Sequence, residues 1–118
     1  MIFLGLMLLS SQLPEPVQDY CTSGDSGQSY ALCLAEWYFE QSENRLNDQW
    51  AKSFTAVMAR KGETSATRLR TEQRRWIKNR DRECDAVIAN SPVTQQGRNG
   101  LSCMSLKTDE RTLYLKNL

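Results

Sequence analysis

The chain has 118 residues, a formal net charge of +1 and a charged fraction of 25%. That length supports one domain with a modest core, and the near-neutral balance argues against a strongly polyionic partner for the whole molecule. No histidine is present, which removes the commonest general base and the commonest transition-metal ligand.

Residues Met1 to Leu9 form an apolar run followed by Ser10, Ser11 and Gln12. The run is too short to span a bilayer and has the size of the apolar region of an export signal, although the usual positive start is missing. Residues 1–11 are therefore read as a short signal segment cleaved near Ser11. Residues 12–20, with Pro14 and Pro16, read as an extended arm, and residues 21–118 as the folded domain.

The four cysteines suggest two disulfides in an oxidising compartment. Cys21 and Cys33 flank the turn-rich Ser23–Gly27, and Cys84 and Cys103 flank the turn-rich Asn90–Gly100. Sequential pairing is the simplest of the three possible pairings. Each bridge closes a loop of about 13 to 20 residues, worth on the order of 3 kcal/mol in the chain-entropy model. The rival reading is a zinc site, but there is no C-x-x-C spacing and no histidine to help. No metal or cofactor is expected.

The first helix is expected from Ser26 to Lys61, ended by Gly62, with Arg60 and Lys61 suiting the negative end of its dipole. About 35 residues would span about 50 Å, so a bend is expected. Its lower half aligns Glu43, Asn47, Trp50, Phe54, Val57 and Met58 on one face, with Leu46 beside them. Its upper half aligns Leu32, Ala35 and Phe39, with Trp37 and Tyr38 alongside as packing residues. Glu63, Thr64 and Ser65 read as the turn, with Thr64 or Ser65 as N-cap. The second helix reads from Ala66 to Ala89 and stops at Asn90-Ser91-Pro92. Its core stripe is Leu69, Gln73, Trp76, Arg80 and Val87, flanked by Ile77, Cys84 and Ile88. Pro92 to Gly100 reads as a polar loop. The third helix runs from about Asn99 to the end, with Leu101, Met104, Thr108, Arg111, Leu115 and Leu118 in steps of three and four. Alternating β-branched runs are absent. The expected fold is all-α: three antiparallel, bundle-like helices, the first long, stapled by two disulfides.

Each helix places polar residues on its core-facing stripe. An arginine there must be paired, because an unpaired buried charge is costly. Glu43, Asn47, Gln73, Arg80, Thr108 and Arg111 could meet in a bidentate network. The favoured reading is a structural network that sets helix register; the other is a ligand or partner site.

Leu46-Asn47 with Trp50, Gln73-Arg74-Arg75-Trp76-Ile77, Arg80-Asp81-Arg82-Glu83-Cys84, and Cys103 with Thr108-Asp109-Glu110-Arg111 together resemble the LprI-type lysozyme-inhibitor family. The resemblance covers residues 21 to 118. Trp50 stands where the family usually has tyrosine, and Asn90–Gly100 lacks the family's Gly-Gly-Ser. The resemblance implies a small helical domain of the bacterial envelope, periplasmic or secreted, and some members inhibit lysozyme. Leu46, Trp50, Trp76 and Asp81 are the family-motif positions.

No catalytic set is evident. Asp81, Glu83 and Asp85 alternate along a helix and do not share a face, and four cysteines that can pair leave no reactive thiol. The expected function is binding: inhibition of lysozyme or another wall-degrading enzyme. Arg98 and Asn99, read as lying in a loop held at both ends by Cys84 and Cys103, are the candidate partner contacts. The alternatives are an envelope structural or interaction protein, or an anion-binding module using the basic residues between Arg68 and Arg82, where Glu72 and Asp81 are the only acids. Their spread over two ridges makes nucleic acid the less favoured partner.

Overall fold

The computed structural model describes Cys21 and residues 28–118, so the expected signal segment, the arm and the helix start at Ser26 lie outside the described residues. Three helices follow: α1 (Gln28–Lys61), α2 (Glu63–Ala89) and, after a 3-10 turn at Val93–Gln95, α3 (Gln96–Lys116). No strand occurs among the described residues.

α1 has no proline or glycine over its 34 residues and runs unbroken to Gly62. Gly62 has φ +90°, a left-handed conformation that costs glycine little. Its N–H donates to the Met58 carbonyl, and its own carbonyl accepts from the Ala66 N–H. One residue therefore ends α1 and starts α2. Thr64 or Ser65 was expected to cap the second helix, but helix geometry begins at Glu63 and no side chain caps it. The Gly62 carbonyl already takes the first helical bond, and the Glu63 carboxylate sits at the positive end of the dipole.

The far end of α2 is closed by the expected residues. Asn90 Nδ2 donates to the Ala86 carbonyl and Ser91 Oγ to the Val87 carbonyl. The expected loop to Gly100 is shorter than read. After Pro92 the chain makes the 3-10 turn, closed by the Gln95 N–H on the Pro92 carbonyl, and α3 starts at Gln96 rather than Asn99. Gly97 and Gly100, read as loop residues, lie inside the helix because they are needed for close approach. A Cβ on Gly100 would sit 2.6 and 2.7 Å from Ile88 Cγ1 and Cδ1. Gly100→Ala is therefore expected to destabilise the domain by about 1–2 kcal/mol in urea titrations. Overpacking outweighs the gain in helix propensity, and Ile88→Ala should relieve the strain.

Contacts fix an up-down-up order. Glu43 meets Arg80 and Phe54 meets Arg70 across the α1–α2 pair. Arg45 meets Asp109 and Ser53 meets Leu115, so α3 runs parallel to α1. Glu83 meets Lys107 and Gln73 meets Arg111, so it runs antiparallel to α2. The central core is Leu46, Leu69 and Leu115, with Trp50, Val57 and Trp76 against it. Burying each leucine is worth about 1.5–3 kcal/mol. A second cluster joins Cys21 and Trp37 to Tyr30, Cys33 and Leu34. The two disulfides pair sequentially, Cys21 with Cys33 and Cys84 with Cys103.

Several stripe positions differ from expectation. Val87, Ile77, Met58 and Leu118 are exposed, and so is Asn47. α3 lies over the face of α1 marked by Ser42, Leu46 and Ser53, all buried. That face is one residue away from the one drawn through the larger side chains. Small serines there let α1 and α3 approach closely, and Ser53 Oγ donates 2.8 Å to the Leu115 carbonyl.

Candidate functional site

At mid-height the three helices contribute polar side chains to one place. Arg80 of α2 is 8% exposed. Its Nη1 donates to Glu43 Oε1 of α1 at 2.5 Å and to Thr108 Oγ1 of α3 at 3.1 Å, and its Nε donates to Asp81 Oδ1 at 3.1 Å. The guanidinium also faces the rings of Trp76 and Phe39, 5.2 and 5.7 Å from their centroids. Two turns further toward Gly62 along α2, buried Gln73 accepts from Arg111 Nε at 2.8 Å. Arg111 lies 4.6 Å from the Tyr114 ring centroid and 5.7 Å from that of Trp76, so Trp76 is flanked by two guanidinium groups. Arg111 Nη2 is buried without a hydrogen-bond partner among the described residues. Burial pushes the Arg111 guanidinium down from its ordinary value, against the opposing pull of Tyr114 and Glu72. The aromatic faces supply electrostatic compensation for the missing bond.

Glu43, Gln73, Arg80, Thr108 and Arg111 thus lie together. Asn47 does not join them, because it projects from the solvent side of α1. Sequence reasoning missed two ion pairs that lace α3 to its neighbours. Arg45 donates to Asp109 at 3.0 Å, and Lys107 pairs with Glu83 at 2.5 Å. The hydrogen bond and charge of Lys107 hold the Glu83 carboxyl below its ordinary value. A carboxyl whose pKa is depressed on folding contributes stability above the unfolded value, and the contribution is lost as pH falls through the folded value. Glu83→Gln is therefore expected to melt below the parent at neutral pH. The two melting temperatures should converge as the pH is lowered past the ordinary value of 4.5.

Arg98 and Asn99 are not on a loop. Both lie in the first turns of α3, with Arg98 exposed. Asn99 Nδ2 donates to Ser91 Oγ at 3.1 Å and ties the turn to the end of α2. Of the family-motif positions, Leu46 is buried, Trp50 and Trp76 are half-buried against the core, and Asp81 is exposed beside Arg80.

Above the polar network, α1 and α2 stand apart and α3 shows between them. The result is an open groove of about 790 Å³. Phe39, Ile88, Leu101 and Met104 form its apolar floor, and Glu36, Glu43, Asp81 and Asp85 stand along its rim. Among the described residues no group of three or more His, Cys, Asp or Glu could hold a metal ion. No described helix is long and apolar enough to cross a membrane.

The geometry is that of a small, disulfide-stapled helical scaffold with an open groove. The family model described as Lysozyme inhibitor LprI matches residues 21–115. The chain belongs to this lysozyme-inhibitor family. Comparison with curated proteins and with solved structures gives no match.

Proposed function

We propose that the chain is an extracytoplasmic binding protein that inhibits lysozyme or a related wall-degrading enzyme, and is not itself an enzyme. Membership of an inhibitor family over residues 21–115 carries this reading. The two disulfides support the oxidising compartment. The buried polar set around Arg80 is proposed to be structural, since Glu43, Asp81 and Thr108 already use the guanidinium.

A lysozyme-type glycosidase works through two carboxyl groups in its cleft, so an inhibitor gains from a rigidly presented cation. Arg98 is proposed to supply it, with Asn99 holding the turn. A side chain whose backbone is held in a helix brings less chain to be ordered on binding than one on a free loop. The test is turnover of a cell-wall substrate by several lysozyme types with increasing purified protein. Dose-dependent inhibition is expected, and none at large molar excess would overturn the reading. Arg98→Ala should weaken inhibition by at least about 1 kcal/mol, roughly fivefold in the inhibition constant, and unchanged potency would remove Arg98 from the contact.

A further inference from the structure

We propose that the groove between α1 and α2 docks a cationic amphipathic helix presented by a partner protein. The inference rests on reading the chain as a binding protein, and names what its partner presents. Three observations carry it.

The first is charge. Four carboxylates, Glu36, Glu43, Asp81 and Asp85, stand along the groove, and the one guanidinium lining it, Arg80, already pairs with two of them. The rim keeps an excess of negative charge over apolar surface, which favours lysine or arginine flanking an apolar stripe. The second is the floor. Leu32 at the mouth is 36% exposed, and Phe39, Leu101 and Met104 are only half-buried. The upper apolar line of α1 therefore lacks full cover from α2 and α3. Methionine and leucine on such a floor adapt to an incoming apolar face.

The third is the backbone of the walls. All three walls are helices whose central N–H and C=O groups are already paired. An extended peptide would find no ladder there, and its own backbone groups would be left without partners. A helix satisfies its own backbone and can pack into the groove as a fourth element. From Leu32 to Glu43 the α1 wall runs about 17 Å, room for about three turns.

The experiment titrates the full chain calorimetrically with a synthetic 18-residue leucine/lysine helix and with its leucine/glutamate counterpart. The cationic helix should bind at least about 30-fold more tightly. Glu36→Lys with Asp85→Lys should weaken it at least about tenfold, as should Leu32→Ser, with circular dichroism verifying that each variant is folded. Reversing two exposed acids away from the groove, Asp48→Lys with Glu63→Lys, should change affinity less than about threefold. Equal losses from the two reversals, or equal binding of both peptides, would overturn the proposal. Self-association abolished by the rim reversal would also overturn it and give the groove to a second copy.

The same rim variant in the lysozyme assay separates this proposal from the functional reading. Parent inhibition lost in the variant supports both. Parent inhibition kept by the variant overturns the groove and leaves the inhibitor reading intact. Selective cationic-helix binding without lysozyme inhibition upholds the groove and overturns the inhibitor reading.

Discussion

Glu43→Gln is expected to destabilise the domain by about 2–4 kcal/mol, while Arg80→Leu costs about 1 kcal/mol. The asymmetry follows from burial. The Arg80 side chain is 8% exposed and that of Glu43 33%. Removing the carboxylate strands a guanidinium walled by Phe39 and Trp76, with half-exposed Asp81 as its remaining counter-ion. Removing the guanidinium strands only a carboxylate that water can reach, plus the Thr108 hydroxyl. The estimate lies below the full cost of breaking a sealed pair because Asp81 remains and Glu43 is partly solvated. The double variant Glu43→Gln/Arg80→Leu should therefore be more stable than Glu43→Gln alone. Urea denaturation of the four proteins measures this as a double-mutant cycle. A Glu43→Gln protein as stable as the parent would show that Asp81 suffices.

Replacing both Cys84 and Cys103 by alanine is expected to cost about 3 kcal/mol, the chain-entropy value for a bridge between residues 19 apart. This bridge ties α2 to α3 beside the tight Gly100–Ile88 contact and close to Arg80. Its loss should loosen both, and amide exchange should rise first in residues 96–104. The Cys21–Cys33 bridge instead holds Cys21 against Trp37 of α1. Alanine at those two positions should leave exchange in α2 and α3 unchanged. Thermal melts of each double variant, with and without reductant, separate the two contributions.

Much of this molecule could be read before its structure. The all-helical class, the stop at Asn90-Ser91-Pro92 and the sequential cysteine pairing required only local rules, and local rules sufficed. Arg80 stood out because an arginine in steps of three and four with Leu69, Gln73 and Trp76 must find a counter-charge. The buried face of α1 falls one residue from the one its larger side chains mark, because size is a poor sign of burial at a close helix contact. Ser42, Leu46, Gln49 and Ser53 step by four, three and four, a helical stripe made largely of small polar residues. Where two helices pack closely, small side chains occupy the contact and large ones flank it, so Trp50 sits half-buried at the edge. Gly97 and Gly100 misled in the opposite direction. Glycine usually signals a loop, but here the crossing of α3 over Ile88 outweighed its low helix propensity. The groove had no local signal at all. It draws on Leu32 and Phe39 of α1, Ile88 of α2 and Leu101 of α3, and exists only because the helices part at that end.

The one-residue reversal at Gly62 also governs which length changes the chain can absorb. With no loop to take up slack, every α1–α2 pairing is counted outward from a single position. Phe54 and Arg70 lie eight residues on either side of it, and Glu43 and Arg80 lie nineteen and eighteen away. One residue inserted between Gly62 and Arg80 would turn the rest of α2 by roughly 100° and carry it about 1.5 Å along its axis. Arg80 would leave Glu43, and α3 could no longer meet both α1 and the turned part of α2. Insertions and deletions between Glu43 and Arg80 are therefore expected to break these pairings. The segment 91–95 between α2 and α3 is where the chain can change length while its sidedness survives.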